Sequence, residues 1–293
     1  MPGSIRGFAM REVLFGSPLA WACSVVLAIV ALAAMAGPWL SPWAFDAVDW
    51  DAIDAAPSTA HWFGTDGVGR DLLARTLTGA RVSIVIAISA TLVSCLIGIP
   101  WGAAAGYIGG PTDMTMMRIV DGLYALPFIL LVILLVVLFG RNVVLLFVAL
   151  GAVSWLDLAR IVRGQTLAAK NEAYVEAARA MGVGTPGILV RHIVPNVAGP
   201  ALVYATLTVP GVIIAESFLS FLGLGVQEPQ TSWGVLIADG AREMRSSPWQ
   251  LIFPASMLAL TLFALNVLGD RMRDALDVPD RARSKTLKTQ AGR

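Results

Sequence analysis

The sequence predicts an all-α polytopic membrane protein with six transmembrane helices. Three observations carry this. Only 14% of the 293 residues are charged and 57% are apolar, whereas a soluble domain carries about a quarter charged residues. The mean hydropathy is +0.73, a value for a chain mostly in lipid. Six apolar stretches lie near the length of about 20 residues that a bilayer requires. The net charge of +1 gives no global reason to expect a nucleic-acid partner. Cys23 and Cys95 lie in apolar stretches and read as small core residues, without metal or disulfide spacing.

Met1 to Ser17 reads as a cytoplasmic leader with Arg6 and Arg11. Pro18 to Leu40 is the first span, with Trp21 and Trp39 as interfacial anchors near its ends. Ala34-Met35-Ala36 has the form of a signal-peptide cleavage site, but the apolar stretch is longer than a typical signal core. Residues 41–78 form an outer segment, acidic at first through Asp46, Asp49, Asp51 and Asp54. Gly64, Gly67, Gly69 and Asp66 then give turn chemistry. Asp71 suits the N-terminus of a short helix running toward Arg81. The glycines do not make a phosphate loop, since no strand precedes them and no lysine follows. His61 has no second ligand nearby and reads as structural.

Val82 to Tyr107 is the second span, with a kink expected at Gly98, Pro100 and Gly102. Gly109, Gly110 and Pro111 make a tight inner turn. Ile119 to Phe139 is the third span, with Asp121 near its inner end and Pro127 as a break. Gly140 to Asn142 is a short outer loop. Val143 to Ala159 is the fourth span, and Asp157, Arg160 and Arg163 mark its exit, from which the helix continues inward. Val197 to Leu222 is the fifth span, broken by Pro200, Pro210 and Gly211. Glu216, an ionisable residue at membrane depth, is a candidate gate or a register contact between helices. An outer loop, Gln227 to Gln250, leads to the sixth span, Leu251 to Leu268, and a basic tail.

With the N-terminus inside, the inner segments hold fifteen of the 21 lysines and arginines and the outer segments six. This bias places both termini and the loop after the fourth span in the cytosol.

That loop, Glu176 to Asn196, is built as a part and not as a plain connection. Glu172 and Glu176 stand four apart, and Glu176 stands three before Arg179, giving a charge ladder on one face. Ala177, Ala178 and Ala180 are small helix formers that let another chain approach. Gly182 and Gly184 end this helix. Thr185 reads as an N-cap, Pro186 as the first residue of a second short helix, and Pro195 as its stop. So short a helix is unstable alone. Its apolar residues Ile188, Leu189 and Ile193 are expected to enter a partner's groove.

These residues also carry a resemblance. The EAA triplet, three residues, Gly182, nine residues and an apolar-Pro ending resemble the EAA loop of binding-protein-dependent ABC importers. Glu176, Ala177, Ala178, Gly182 and Pro195 fall on the motif positions. His192 stands where the general pattern prefers Ile, and Arg191 to Asn196 resembles the dipeptide/oligopeptide/nickel branch. His61 to Asp71 resembles the His-x-x-Gly-Thr-Asp-x-x-Gly-Arg-Asp stretch of the C-type permease of that branch, and Ala215 to Gly234 resembles it as well.

The resemblance implies a type I importer permease fold and import of peptides across the bacterial cytoplasmic membrane. It implies a domain organisation of 1–78, a transmembrane domain over 79–270 with the EAA loop at 160–196, and a cytoplasmic tail over 271–293. It implies as partners a second, homologous permease, one or two ATP-binding subunits and an extracytoplasmic substrate-binding protein, besides membrane lipid. No G-x-x-x-x-G-K-[ST] is present, so ATP and Mg belong to the partner subunits and this chain is not expected to be an enzyme. Nickel or another small solute is the alternative cargo. An ion-coupled secondary transporter using Asp121, Asp157 or Glu216 is the alternative class, although no inverted repeat is visible. An intramembrane enzyme is disfavoured, since both histidines, His61 and His192, lie outside the spans.

Overall fold

The computed structural model describes residues 17–140 and 142–291. The leader up to Gly16 lies outside them. Helix α1 (Pro18–Leu40) starts where Ser17 caps it, its side chain accepting from the Ala20 N–H at 3.1 Å. Helix α2 (Leu72–Ile108) is capped by Asp71, which accepts from the Ala74 N–H at 2.7 Å. The short helix expected from Asp71 and the second span expected from Val82 are therefore one helix of 37 residues.

The glycines expected to kink α2 have a packing role. The helix runs through Pro100, and the glycines serve close packing against helix α5 (Val143–Ala169). A Cβ on Gly98 would stand 3.0 Å from the Trp155 carbonyl oxygen, and one on Gly106 2.8 Å from that of Arg163. One on Gly102 would collide with the Ala159 carbonyl. On α5, a Cβ at Gly151 would stand 2.6 Å from the Ala90 carbonyl oxygen. Small residues spaced by four form a stripe along which two membrane helices approach backbone to backbone.

Between these helices the chain folds as α3 (Gly110–Tyr124) and α4 (Phe128–Phe139). Gly109 and Gly110 take positive φ (71° and 56°), so the inner turn is confined to them and α3 begins well before Ile119. The two helices meet at a bend of 82°. Pro127, which has no N–H to continue a helix, stands at this break as the N-cap of α4. The third span is thus not one straight rod. Among the described residues, five helical runs are long and apolar enough to cross a membrane, and the bent pair makes a sixth when counted as one span.

After α5 come α6 (Ala173–Ala180), α7 (Thr185–Ile188), a π turn (Leu189–Ile193) and α8 (Val194–Phe221). Pro195 does not stop a helix. The helical run continues from Thr185 to Phe221. A proline ring strikes the carbonyl four residues back, and the π turn just before Pro195, with the Val194 N–H bonded to the Leu189 carbonyl, widens the coil there. Gly184, not Thr185, occupies the N-cap of α7, and no side chain caps it. Helix α9 (Trp233–Arg242) is capped by Ser232, and α10 runs from Trp249 through the tail to Ala291.

The segment before α2 folds over the end of the bundle. Gly64 and Gly69 take positive φ (78° and 85°), and side chains there would strike the Ala55 and Asp49 carbonyls. Buried His61 Nδ1 lies 2.9 Å from Asp71 Oδ2, and its ring stacks on Trp43. Arg70 reaches Asp66 at 2.8 Å and Glu228 at 3.1 Å, joining this segment to the loop after α8. Gln250 Nε2 donates to Asp54 Oδ1 at 2.7 Å, joining it to α10.

Candidate functional site

The EAA segment folds back on its own bundle with one face and turns the other outward. Val175 and Ala178 of α6, Ile188 of α7 and Ile193 of the π turn are buried together with Leu158 and Val162 of α5 and Ala103 of α2. This corrects the expectation for Ile188 and Ile193. They are 2% and 0% exposed, because the short helices must be anchored on α5 and α8 before they can be presented to anything. Ala178 is likewise an inward contact, and Leu189 and His192 are half-buried. The outward face carries Glu176, Ala177, Arg179, Ala180, Thr185, Pro186 and Pro195. It also carries Met181, 75% exposed, and Val190, 68% exposed. Met181 stands just before the turn between α6 and α7, and Val190 lies in the π turn after α7. Sequence reasoning missed them because it assigned the apolar face from the residues that proved to be internal.

Gly182 has φ +79° and ends α6 as expected. Its N–H donates to the Arg179 carbonyl at 3.0 Å, and the Val183 N–H to the Ala178 carbonyl at 3.1 Å. Glu176 lies in the first turn of α6, where its charge meets the positive end of the helix. The ladder to Arg179 does not close. No ion pair joins them among the described residues, and the Arg179 guanidinium lies 5.9 Å from the centroid of the Tyr107 ring.

A second region lies at the α3–α4 bend. A cavity of about 590 Å³ opens between this bend, α5 and α8. Pro127, Tyr124, Asp157, Thr208 and Gly211 line it. The break at Pro127 and the Pro210-Gly211 step of α8 thus meet at one place, with Pro210 itself buried inside α8. Asp121 is exposed and accepts from Arg160 at 2.9 Å, and Arg160 lies 4.3 Å from the Tyr124 ring centroid. Arg163, one turn on, makes two bonds to Asp113 of α3 at 2.5 and 2.6 Å.

Glu216 stands apart from both regions. It is fully buried on α8. Ser83 of α2 donates to Oε2 at 3.1 Å and Ser220 of α8 to Oε1 at 2.7 Å. The serines are single polar residues in apolar runs, and only the packing brings them to Glu216. The segment containing Arg70 and the loop containing Glu228 lie at this end of the molecule. Burial works against the Arg70 charge, yet the carboxylates of Asp66 and Glu228 hold its pKa above the ordinary value.

Residues 98–278 match the family model described as binding-protein-dependent transport system inner membrane component. Residues 9–57 match that of the N-terminal TM domain of oligopeptide transport permease C. The chain is 52% identical over 273 residues to the oligopeptide transport system permease protein OppC of Haemophilus influenzae, covering 92% of this chain and 88% of that one. It is 47% identical over 260 residues to the dipeptide transport system permease protein DppC of Bacillus subtilis, covering 88% and 81%. A solved structure of inward-facing conformations of the MetNI methionine ABC transporter matches 70% of this chain and 96% of its own. The TM-score is 0.53 at 20% sequence identity, a likeness of fold.

Proposed function

The chain belongs to the binding-protein-dependent transport system inner membrane component family, and from that premise we propose that it is the permease subunit of an ATP-driven importer of peptides. It is a multi-pass inner membrane protein and a transport subunit. The peptide cargo rests on relatives at 52% and 47% identity, whose names state oligopeptide and dipeptide transport.

One structural observation carries the mechanism. The outward face of the EAA segment, with Glu176, Met181 and Val190 exposed, rides on short helices anchored to α5 and continuous with α8. A separate ATPase that grips this face acts on two membrane helices at once. Closing of an ATPase pair moves the segment as a rigid body, and the movement passes along α8 to the Pro210-Gly211 step beside the cavity at Pro127. The path is the space between this chain and a homologous second permease. Glu176 meets a basic residue of the ATPase. ATP and Mg are held by one or two ATPase subunits, and this chain has no ATP site of its own. A substrate-binding protein delivers the peptide from outside. The charge bias of the loops favours cytoplasmic termini and a cytoplasmic EAA segment.

The test is purification of this chain from detergent-solubilised membranes with an assay of ATP hydrolysis, for wild type and for Glu176→Lys. ATPase activity is expected with wild type and is expected to be lost with the variant. Absence of ATPase activity from both would overturn the assignment.

A further inference from the structure

The first turn of α9 is held by a carboxyl group on another helix. Glu216 takes part in no ion pair among the described residues. Its two oxygens instead end two hydrogen-bond relays that run in one direction. In the first, the Trp233 N–H donates to Ser83 Oγ at 3.3 Å, and Ser83 donates on to Glu216 Oε2 at 3.1 Å. In the second, the Val235 N–H donates to Ser232 Oγ at 3.4 Å and Ser232 to Ser220 Oγ at 3.3 Å. Ser220 then donates to Glu216 Oε1 at 2.7 Å. Each hydroxyl accepts from the donor behind it, so its proton is directed toward the carboxyl, whose two oxygens accept from Ser83 and Ser220. Both relays start at N–H groups in the first turn of α9, which have no intrahelical partner and sit at the positive end of the helix.

The contact is tight as well as polar. Trp233 is fully buried, and a Cβ on Gly234 would stand 2.5 Å from Ser217 Cα on α8. The relays cross three helices, so a shift of α8 by a few ångströms lengthens several bonds together beyond the hydrogen-bonding range. A buried carboxyl stripped of its donors is strongly disfavoured. Half-released positions are therefore avoided, and the contact is either made or broken.

Glu216 also shares a helical run with the EAA segment, which is continuous from Thr185 to Phe221. We infer that Glu216 is a latch: it ties α8 to the first turn of α9, and each transport cycle breaks and remakes this contact in response to the EAA segment. The inference rests on the reading of the chain as an ATP-driven permease. Glu216 is a positioning residue in it and does not touch the cargo.

The test uses the assembled transporter, with its ATPase and binding-protein partners, in proteoliposomes. Cys23 and Cys95 are replaced by alanine, and Ser220→Cys with Ser232→Cys is introduced, since the two hydroxyl oxygens are 3.3 Å apart. Oxidation is expected to form the disulfide and to lower peptide uptake by about tenfold or more relative to the same variant before oxidation, the equivalent of about 1.4 kcal/mol. Reduction returns uptake to the level of the same variant before oxidation, which is itself below that of the cysteine-free parent because both substitutions weaken one relay, and the parent is indifferent to both treatments. Uptake unchanged by a formed disulfide, or failure of the disulfide to form, overturns the latch. A second variant, Glu216→Gln, sets an amide donor against one incoming relay. It is expected to raise ATP hydrolysis without peptide while uptake per ATP falls severalfold, whereas a merely structural loss lowers both in proportion to the amount of protein. A wild-type ratio of uptake to hydrolysis in Glu216→Gln also rejects the latch. If the cysteine-free parent shows no ATP-dependent uptake, the transport reading itself falls, and the latch with it.

Discussion

Replacing Gly182 by valine tests whether the EAA segment acts as a lever whose angle matters. A Cβ at Gly182 meets nothing within 4 Å, so the substitution creates no collision. Its whole effect comes from the backbone, which stands at φ +79°. An L-residue in the left-handed region costs about 1–2 kcal/mol, and a β-branched one lies at the upper end. The chain escapes this strain only by opening the turn, which gives up the bonds from the Gly182 and Val183 N–H groups to the Arg179 and Ala178 carbonyls. Each is worth about 1 kcal/mol. The two costs are comparable, so the turn is expected to shift by about tenfold toward open forms, with α6 and α7 no longer held at one angle. The bundle beneath, built on Val175, Ile188 and Ile193, stays intact. The assay compares Gly182→Val, Gly182→Ala and Gly182→Asn for membrane abundance, ATP hydrolysis and peptide uptake in proteoliposomes. Abundance is expected to be unchanged in all three. Uptake per ATP is expected to fall in the order Asn, Ala, Val, because asparagine tolerates the left-handed region. Wild-type uptake and affinity in the valine variant would refute the lever. Equal loss in Asn and Val would show that strain is not the cause.

Ile188→Ala empties a buried site and is expected to cost about 2–5 kcal/mol, seen as reduced abundance and a lower thermal midpoint. Val190→Ala, at a position 68% exposed, is expected to change stability by less than about 0.5 kcal/mol and to weaken only ATPase association. Asp113→Asn breaks the two-bond contact to Arg163 and is expected to cost about 1–2 kcal/mol, discounted for the partly exposed guanidinium, with Asp113→Glu recovering part of it. Asp121→Asn, at an exposed pair, is expected to cost less than about 1 kcal/mol in the same thermal measurement. Gly102→Val drives a side chain into the Ala159 carbonyl, where no flexible neighbour can yield, and is expected to prevent accumulation of folded protein in the membrane.

The spans were legible in the sequence because lipid demands long apolar helices, and length with composition reports them directly. Caps were legible where the chemistry is local, as at Asp71 and Gly182. The sequence misleads where one residue type serves two purposes. Gly98 and Gly102 have the look of a kink and act as a packing stripe. Pro195 has the look of a stop and sits after a π turn that admits it. The apolar residues of the EAA segment read as bait for a partner, yet Ile188 and Ile193 hold the segment to its own bundle. Periodicity tells which residues share a face but not what that face meets.

From the sequence alone come the membrane class, the approximate limits of most spans and the motif that marks the EAA segment, since each depends on neighbours along the chain. Only the tertiary structure decides that Met181 and Val190 face outward, that Pro127 and Gly211 line one cavity, and that Ser83, more than a hundred positions from Glu216, donates to its carboxyl. These depend on how helices distant in sequence are rotated against one another, and that rotation is set by the joint packing of all of them.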